Sequence, residues 1–218
     1  MVTLEAILER NNLNRAYKQV KANRGGPGVD GMTVDELLDY LRAHAVEIVE
    51  TVKAGKYKPQ PVRRVMIPKE EKGKFRPLGI PTAVDRVIQQ AIAQKLSDEY
   101  EPVFSLHSHG FRPCRSCRTA IDEALDIANQ GYVWVVDLDL SKFFDTVNHS
   151  KLLQLLSDKL KDGRVVSLIH KILRAPIQGS SSKTPVAKPD GTKMFCSAFL
   201  NDARMCCFFC QYNSRILT

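Results

Sequence analysis

The stretch Tyr132-Val-Trp-Val-Val-Asp-Leu-Asp-Leu-Ser-Lys-Phe-Phe-Asp-Thr-Val-Asn-His149 decides the predicted fold, because it brings carboxylates to the end of an apolar run. Five successive apolar residues, rich in valine, predict a buried strand over residues 132 to 140. Side chains alternate between the two faces of a strand, so Asp137 and Asp139 share one face. Buried carboxylates need a partner, and Mg2+ is a hard cation that takes oxygen ligands. The stretch therefore predicts a divalent-cation site.

The same spacing fits a second interpretation. An acidic turn between a strand and a helix would also place carboxylates here, with Asp145 or Asn148 capping the helix that follows. Spacing alone does not decide between a metal site and a capped turn.

Charge and length favour a folded protein that meets a polyanion. The chain has 218 residues and a formal charge of +8, with 32 basic against 24 acidic side chains. That length allows a substantial core, and the charge favours long-range attraction to nucleic acid. No apolar run approaches membrane-spanning length, and the N-terminus lacks a signal-peptide pattern. We expect no membrane partner.

Periodicity predicts helices around one glycine-rich break. Apolar residues recur at helical spacing over residues 3 to 22 and again from Val84 to Tyr100. Between them, the cluster from Gly25 to Gly31 predicts a tight turn, and Thr33-Val-Asp-Glu36 predicts a capping box for a helix through about residue 52. Further helices are expected over residues 119 to 128, 149 to 160 and 163 to 173.

A basic β-hairpin is predicted between Lys53 and Arg76. This segment holds nine basic side chains against two acidic ones, and Lys72-Gly-Lys74 supplies a turn. Such a hairpin can lie over a triphosphate, where an arginine offers a planar fork and a lysine a point charge. It can equally be an edge strand whose lysines prevent pairing with other chains.

Several blocks of sequence, in order, resemble the reverse transcriptases encoded by group II introns of bacteria and organelles. The block Asp139-Leu-Ser-Lys-Phe-Phe-Asp145 resembles their first catalytic motif. The upstream blocks are Arg24-Gly-Gly-Pro-Gly-Val-Asp-Gly31, Lys58-Pro-Gln-Pro-Val-Arg-Arg64, Ile67-Pro-Lys69, Arg76-Pro-Leu-Gly-Ile-Pro-Thr82, Asp85-Arg86 and His109-Gly-Phe-Arg-Pro113. The resemblance runs from about residue 5 to about residue 178, and chance does not produce so many ordered blocks.

The resemblance implies an α+β fold of the right-hand polymerase type. We expect a fingers region with an N-terminal extension over residues 1–130 and a partial palm over residues 131–178, with an antiparallel palm sheet backed by helices. The fingers would contain the helical N-terminus and the basic β-hairpin. Residues 179–218 are expected to be a divergent tail.

The resemblance also implies a chemistry, namely addition of dNTPs to a DNA primer on an RNA template with two Mg2+ ions. Asp139 is then the catalytic metal ligand, joined by the backbone carbonyl of Leu140. Asp137 supports Asp139 without binding the metal directly. The nucleotide-binding residues would be Lys69 and Arg76 on the phosphates and Phe144, which excludes the 2′-hydroxyl of ribonucleotides. The template-binding residues would be Arg63, Arg64, Arg86, Arg112 and Arg115.

The chain departs from the family after Gln178. A Pro-Gln-Gly block and a Tyr-x-Asp-Asp hairpin should follow, and neither occurs. The tail opens with Gly179-Ser-Ser-Ser and carries four of the six cysteines. With one metal-binding aspartate, charge compensation for two Mg2+ ions is inadequate, so we expect the chain alone to be inactive. Missing palm strands would expose an apolar edge and favour self-association.

Two functions follow from these observations. The first is an RNA-directed DNA polymerase of a group II intron, and the alternative is an RNA-binding splicing (maturase) module that needs no metal. Both imply intron RNA as a partner and residence in a bacterial cytoplasm or an organellar matrix. The pairs Cys114-x-x-Cys117 and Cys207-x-x-Cys210 have zinc-ligand spacing, but reduced thiols are the expected state in these compartments.

Overall fold

A computed structural model describes residues 2–68, 73–137 and 147–178. These ranges form mainly helices, together with a two-stranded antiparallel sheet. In chain order, the elements are α1 Leu4–Ile7, α2 Arg10–Ala22, α3 Leu37–Lys53, β1 Arg63–Pro68, β2 Phe75–Ile80, α4 Ala83–Tyr100, a short 3-10 helix Glu101–Val103, α5 Cys117–Asn129, α6 His149–Lys159 and α7 Gly163–Leu173. Mixed helix and sheet agree with the predicted class, and the hairpin is confirmed.

Helix α4 lies at the centre of the core. Most of its side chains are buried, including Val87, Ile88 and Ile92. Helix α2 packs along it, and α1 and α3 contact it as well. The α2–α4 contact contains a buried polar link, in which Asn12 donates to the Ala91 carbonyl at 3.0 Å and accepts from Gln94 Nε2 at 3.0 Å. Because its polar atoms are paired, this link costs little to bury.

The predicted capping box before α3 forms its contacts. The Thr33 N–H donates to Glu36 Oε2 at 2.8 Å, and the Glu36 N–H donates to Thr33 Oγ1 at 3.4 Å. The Thr33 hydroxyl also donates to Glu36 Oε2 at 2.8 Å, and the two bonds that the carboxylate accepts from Thr33 lower the pKa of Glu36. Regular α-helix begins one residue later, at Leu37, a difference within the usual variation of helix ends.

The hairpin pairs β1 with β2 in a register that runs from Arg63 opposite Ile80 to Pro68 opposite Phe75. Gly73 adopts φ +81°, a left-handed conformation that glycine reaches without strain. One face contains the half-buried side chains of β1, and the other face is exposed. The sequence therefore predicted both the strands and the glycine turn.

Helices α6 and α7 pack against each other and close the core with leucine, isoleucine and valine. Asn148 caps α6 by accepting from the Lys151 N–H at 3.0 Å, which confirms its predicted role before this helix. Asp162 caps α7 and also accepts from the Leu4 N–H at 2.9 Å. The N-terminus is thereby joined to the α6–α7 turn.

A short parallel bridge links Val62, just before β1, to Ile177, after α7. The Val62 N–H donates to the Pro176 carbonyl at 2.7 Å, and the Gln178 N–H donates to the Val62 carbonyl at 2.9 Å. Val62 is fully buried. The end of the described chain therefore returns to the base of the hairpin.

The predicted strand over residues 132 to 140 is wrong for residues 132–137, which the structure describes. Residues 132–137 have no regular secondary structure, and their side chains are exposed, with Trp134 at 93%. A strand needs a ladder partner, and none of the described segments pairs with this one. Residues 138–140 lie outside the described residues, so the palm sheet stays a prediction.

Helix α5 forms where a helix was predicted, but none of its side chains is buried. Its apolar residues Ile121 and Leu125 are 58% and 55% exposed. The predicted packing of this helix beneath a strand at residues 132–137 is therefore not observed. None of the helices in the described ranges is long and apolar enough to cross a membrane.

Candidate functional site

The predicted nucleotide-binding arginine, Arg76, and the predicted template-binding arginines, Arg63 and Arg64, are divided between the two faces of the hairpin. Directly opposite residues in a ladder share a face, so Arg76, opposite Ile67, lies on the same face as Arg63. Arg64 lies on the opposite, exposed face beside Met66. Arg63 is half-buried, and its Nη1 donates to the Pro27 carbonyl at 3.1 Å. Arg76 and Arg64 are thus the exposed cations of the strands.

The glycine loop, defined here as Arg24 to Gly31, packs directly on the start of α4. A Cβ added at Gly28 would lie 2.7 Å from the Thr82 Cα and 2.8 Å from its N, so only glycine fits there. At Gly25 the added atom would lie 2.3 Å from Arg86 Nη1. The Arg86 guanidinium also donates from Nη2 to the Gly26 carbonyl at 3.0 Å. Close approach of the Thr82 backbone therefore explains Gly28, and close approach of the Arg86 side chain explains Gly25.

A buried carboxylate organises the N-terminus of α4. Asp85 accepts from the Tyr57 hydroxyl at 2.6 Å, the Thr82 hydroxyl at 2.7 Å and the Gln60 N–H at 3.1 Å. Burial raises the pKa of Asp85, and the three hydrogen bonds oppose that rise. Burial and the nearby Asp85 charge raise the pKa of Tyr57. Asp85 and Arg86 therefore have different partners, Asp85 at Tyr57, Gln60 and Thr82 and Arg86 at Gly26. The predicted contact of Arg86 with a template stays a prediction.

Sequence reasoning missed the role of Asp85. A signal was present, because Thr82-x-x-Asp85 before an apolar helix is a capping-box pattern. Nothing in the sequence indicated that Tyr57, 28 residues away, would complete the cluster.

A groove of about 620 Å3 lies beside the glycine loop. Two cations, Lys21 and Arg24, and one anion, Asp35, are among its lining residues. Arg24 adopts φ +46°, a left-handed conformation that costs a non-glycine residue about 1 kcal/mol. The groove is open and carries a net positive lining.

Arg112 and Arg115 hold the loop before α5. Arg112 is only 6% exposed at its side chain, and its Nε and Nη2 donate to Glu101 Oε1 at 3.0 and 2.8 Å. It also donates to the carbonyls of Ser105 and Ser108 and lies 5.4 Å from the Phe104 ring centre. Arg115 donates to the Leu106 carbonyl at 2.6 Å. Both guanidinium groups thus have protein partners.

Two histidines fasten the same loop to α5. His107 Nδ1 and His109 Nε2 contact the two carboxylate oxygens of Glu123, the second at 2.6 Å. His109 Nδ1 lies 2.9 Å from the hydroxyl of Thr119, a member of the capping box of α5. The histidine contacts lower the pKa of Glu123. This arrangement orders the loop around the Arg112 block.

The cysteine pair next to this loop shows free, exposed thiols at Cys114 and Cys117. The described ranges contain no group of three or more metal-capable side chains. The second pair, Cys207 and Cys210, lies outside the described residues.

Four predicted site residues, Lys69, Asp139, Leu140 and Phe144, lie outside the described residues, as does the tail 179–218. Asp137, predicted to support Asp139, is described and exposed. The described part of the candidate site is therefore the hairpin, the glycine loop and the loop before α5 that contains Arg112.

The fold is similar to part of a chain in a larger solved assembly. A solved structure described as a partial Cas6-RT-Cas1–Cas2 complex matches 91% of this chain and 34% of that chain, with a TM-score of 0.52 and 19% identity. At that identity, the likeness shows the fold alone.

A family model described as reverse transcriptase (RNA-dependent DNA polymerase) matches residues 67–194. The chain belongs to the reverse transcriptase family. The match covers β2 and α4 and includes the predicted catalytic motif at Asp139. The match ends at residue 194. The predicted resemblance to intron proteins ends 16 residues earlier, at Gln178.

The relatives include a group II intron-encoded protein and a putative intron protein, as the sequence predicted. The group II intron-encoded protein LtrA of Lactococcus lactis is 40% identical over 160 residues, which is 73% of this chain and 26% of LtrA. A putative COX1/OXI3 intron 2 protein of Saccharomyces cerevisiae is 32% identical over 195 residues, or 85% of this chain and 22% of that protein. Protein YkfC of Escherichia coli is 38% identical over 178 residues, or 79% and 46%. The chain thus spans about a quarter of the length of LtrA.

Proposed function

We propose that this chain supplies the fingers and the first catalytic motif of an RNA-directed DNA polymerase encoded by a group II intron. The observation that carries the proposal is the reverse transcriptase match over residues 67–194, which joins the basic hairpin to the Asp139 motif in one continuous segment. This match favours a polymerase over a splicing module without polymerase activity. In the proposal, the partners are intron RNA, an RNA template with a DNA primer, and dNTPs.

The hairpin binds the charged part of the nucleotide. Arg76 is exposed on β2, and its guanidinium offers paired N–H donors to phosphate oxygens. Lys69 follows β1 directly and adds a point charge to the same region of sequence. Arg64 presents its charge on the other face and attracts the nucleic-acid backbone there. Phe144 crowds the sugar and selects deoxynucleotides.

The donor set of the catalytic motif suits a hard cation. Asp139 offers a carboxylate and Leu140 a backbone carbonyl, and oxygen donors of this kind hold Mg2+. When bound, Mg2+ supplies positive charge beside the phosphate oxygens and makes a hydroxyl nucleophile more acidic. A single aspartate gives too little charge for two such ions. We therefore propose that the 218-residue chain does not extend primers alone.

Self-association belongs to the same proposal. The apolar run from Tyr132 to Val136 is 67% to 93% exposed, and an exposed apolar segment with high strand propensity pairs readily with another chain. The proposed location is a bacterial cytoplasm or an organellar matrix, in line with a bacterial relative and a yeast intron protein.

Primer extension on an RNA template with dNTPs and Mg2+ tests the proposal. Three proteins are compared: this chain, a version extended with the palm and thumb of a relative such as LtrA, and the extended version carrying Asp139→Ala. We expect extension only from the intact extended version. Activity that survives Asp139→Ala would refute the assigned metal ligand, and an inactive extended version that is folded would refute the polymerase function.

A further inference from the structure

We infer that Arg63 and Arg86 are positioning residues that fix the glycine loop against the hairpin and α4, and that they do not grip nucleic acid themselves. The inference deepens the proposed function, and it rests on that function only for its RNA-binding readout. The attachment of the loop is a property of the folded chain and is tested separately.

The hydrogen bonds of the two arginines converge on adjacent carbonyls of one loop. Arg63 Nη1 donates to the Pro27 carbonyl at 3.1 Å from β1, and Arg86 Nη2 donates to the Gly26 carbonyl at 3.0 Å from α4. Hydrogen bonds from a charged donor are about twice as strong as neutral ones. The first bond holds the loop to the hairpin and the second holds it to α4, so release from both elements breaks both bonds.

The shape of the loop matches the Arg86 side chain. Gly25 leaves open the space that Arg86 Nη1 occupies, because a Cβ there would lie 2.3 Å from that nitrogen. Burial lowers the pKa of Arg86, and Asp30 of the same loop opposes this effect with its negative charge. The loop thus provides both the room and a compensating charge for a half-buried guanidinium.

The same contacts make one edge of the Arg86 guanidinium unavailable to phosphate. Its Nε is buried and has no hydrogen-bond partner among the described residues, while Nη2 is occupied by the Gly26 carbonyl. Arginine usually binds phosphate with two N–H groups in parallel. The edge formed by Nε and Nη2 cannot serve in that way while the loop is in place.

Arg64 is a matched control for Arg63. The two are neighbours in β1, carry the same charge and lie on opposite faces of the hairpin. Arg64 is exposed, whereas Arg63 is half-buried with the loop as its partner. A direct phosphate contact is therefore expected of Arg64 and not of Arg63.

Amide hydrogen exchange on the full chain tests the attachment. Arg86→Ala and Arg63→Ala are expected to raise exchange of the glycine-loop amides about tenfold, as the loss of one charge-assisted hydrogen bond predicts. Arg86→Lys keeps a cation and a donor and should restore part of the protection. Arg64→Ala should leave the loop unchanged. Unchanged loop exchange in Arg86→Ala, with the remainder of the chain folded, would overturn the inference.

A double substitution distinguishes a specific loss of the loop's attachment from a general destabilisation of the fold. Gly25→Ala places a methyl group where Arg86 Nη1 lies, so it should loosen the loop in the wild-type background. In the Arg86→Ala background that clash is gone, and Gly25→Ala should add little. Equal effects of Gly25→Ala in both backgrounds would show that Arg86 and Gly25 are not coupled, which contradicts the inference.

The salt dependence of RNA binding distinguishes positioning from contact. Each phosphate contact with single-stranded RNA contributes a slope of about −0.7 in log affinity against log salt. Arg63→Ala and Arg86→Ala are expected to weaken binding with an unchanged slope, whereas Arg64→Ala should reduce the slope by about 0.7. A reduced slope in Arg86→Ala would overturn the inference. If the wild-type chain binds no RNA, the proposed function fails, while the exchange experiment still decides the attachment.

Discussion

Replacing Tyr57 by phenylalanine removes one hydroxyl group from the buried cluster at the start of α4. That hydroxyl donates to Asp85 Oδ1 at 2.6 Å, while Thr82 and Gln60 donate to Oδ2. Asp85 is 2% exposed, so water cannot easily replace the lost donor. A hydrogen bond to a charged, buried acceptor contributes about 1.5–3 kcal/mol. We expect Tyr57→Phe to reduce the free energy of unfolding by about 2 kcal/mol, or about 4–8 °C in Tm.

The loss of stability caused by Tyr57→Phe should depend on pH. Burial raises the pKa of Asp85 above its ordinary value of 3.8, so the folded protein holds this proton more tightly than the unfolded chain does. Asp85 therefore favours folding most below pH 3.8, and this contribution is lost as the pH rises through the folded pKa. The Tyr57 hydrogen bond favours the ionised carboxylate, so its loss matters most at neutral pH. Below pH 3.8 the bond joins neutral groups, and the cost should fall to about 1 kcal/mol.

Urea unfolding of wild type and Tyr57→Phe at pH 7 and pH 3.5 measures both effects. Tyr40→Phe is the control, because Tyr40 is 39% exposed and its loss should change stability by no more than about 0.5 kcal/mol. A Tyr57→Phe cost below about 0.5 kcal/mol at pH 7, or an equal cost at both pH values, would refute an ionised Asp85 held by Tyr57.

Three further predictions concern other parts of the fold. Gly28→Ala should destabilise the protein by about 1–3 kcal/mol, because its Cβ would meet the Thr82 backbone, whereas Gly26→Ala, with nothing within 4 Å, should be neutral in thermal unfolding. Asp162→Ala removes the α7 cap and should cost about 1 kcal/mol by urea unfolding. Hydrogen bonds from Arg164 lower the pKa of Asp162 to about 2, so this cost should be complete above pH 3.8 and vanish as the pH falls toward 2. Trp134, the single tryptophan, should fluoresce like tryptophan in water and be quenched freely by acrylamide at low protein concentration. Blue-shifted emission at low protein concentration would contradict its exposure. A blue shift that appears as the protein concentration rises would support self-association.

Local structure was predictable where the determining residues are neighbours in sequence. The stripe from Val87 to Leu96 predicted α4, and alternation around Val65 together with Gly73 predicted the hairpin. The interaction of Thr33 with Glu36 was also visible, because a capping box is a pattern of four residues.

Non-local features were not predictable in the same way. The run from Tyr132 to Val136 has strong strand propensity, but a strand forms only when another segment offers hydrogen bonds and a covering face. The arginines show a similar limit, because sequence records their charge and not the direction of a long side chain. Arg112 was predicted to meet a template, which stays a prediction, and the sequence did not indicate that its guanidinium donates to Glu101 and two loop carbonyls.

The hydrogen bond from the Leu4 N–H to Asp162 has a consequence for synthesis on the ribosome. The two residues are 158 positions apart, and Arg164 reaches Glu5 across a similar separation. At about 5–20 residues per second, the first helix waits roughly 8–30 s before its partner has been translated. During that interval α1 can contact α2 and, once it has been translated, α4. Slow translation of the C-terminal half would prolong this period, and with it the time in which a chaperone or protease can engage the N-terminus.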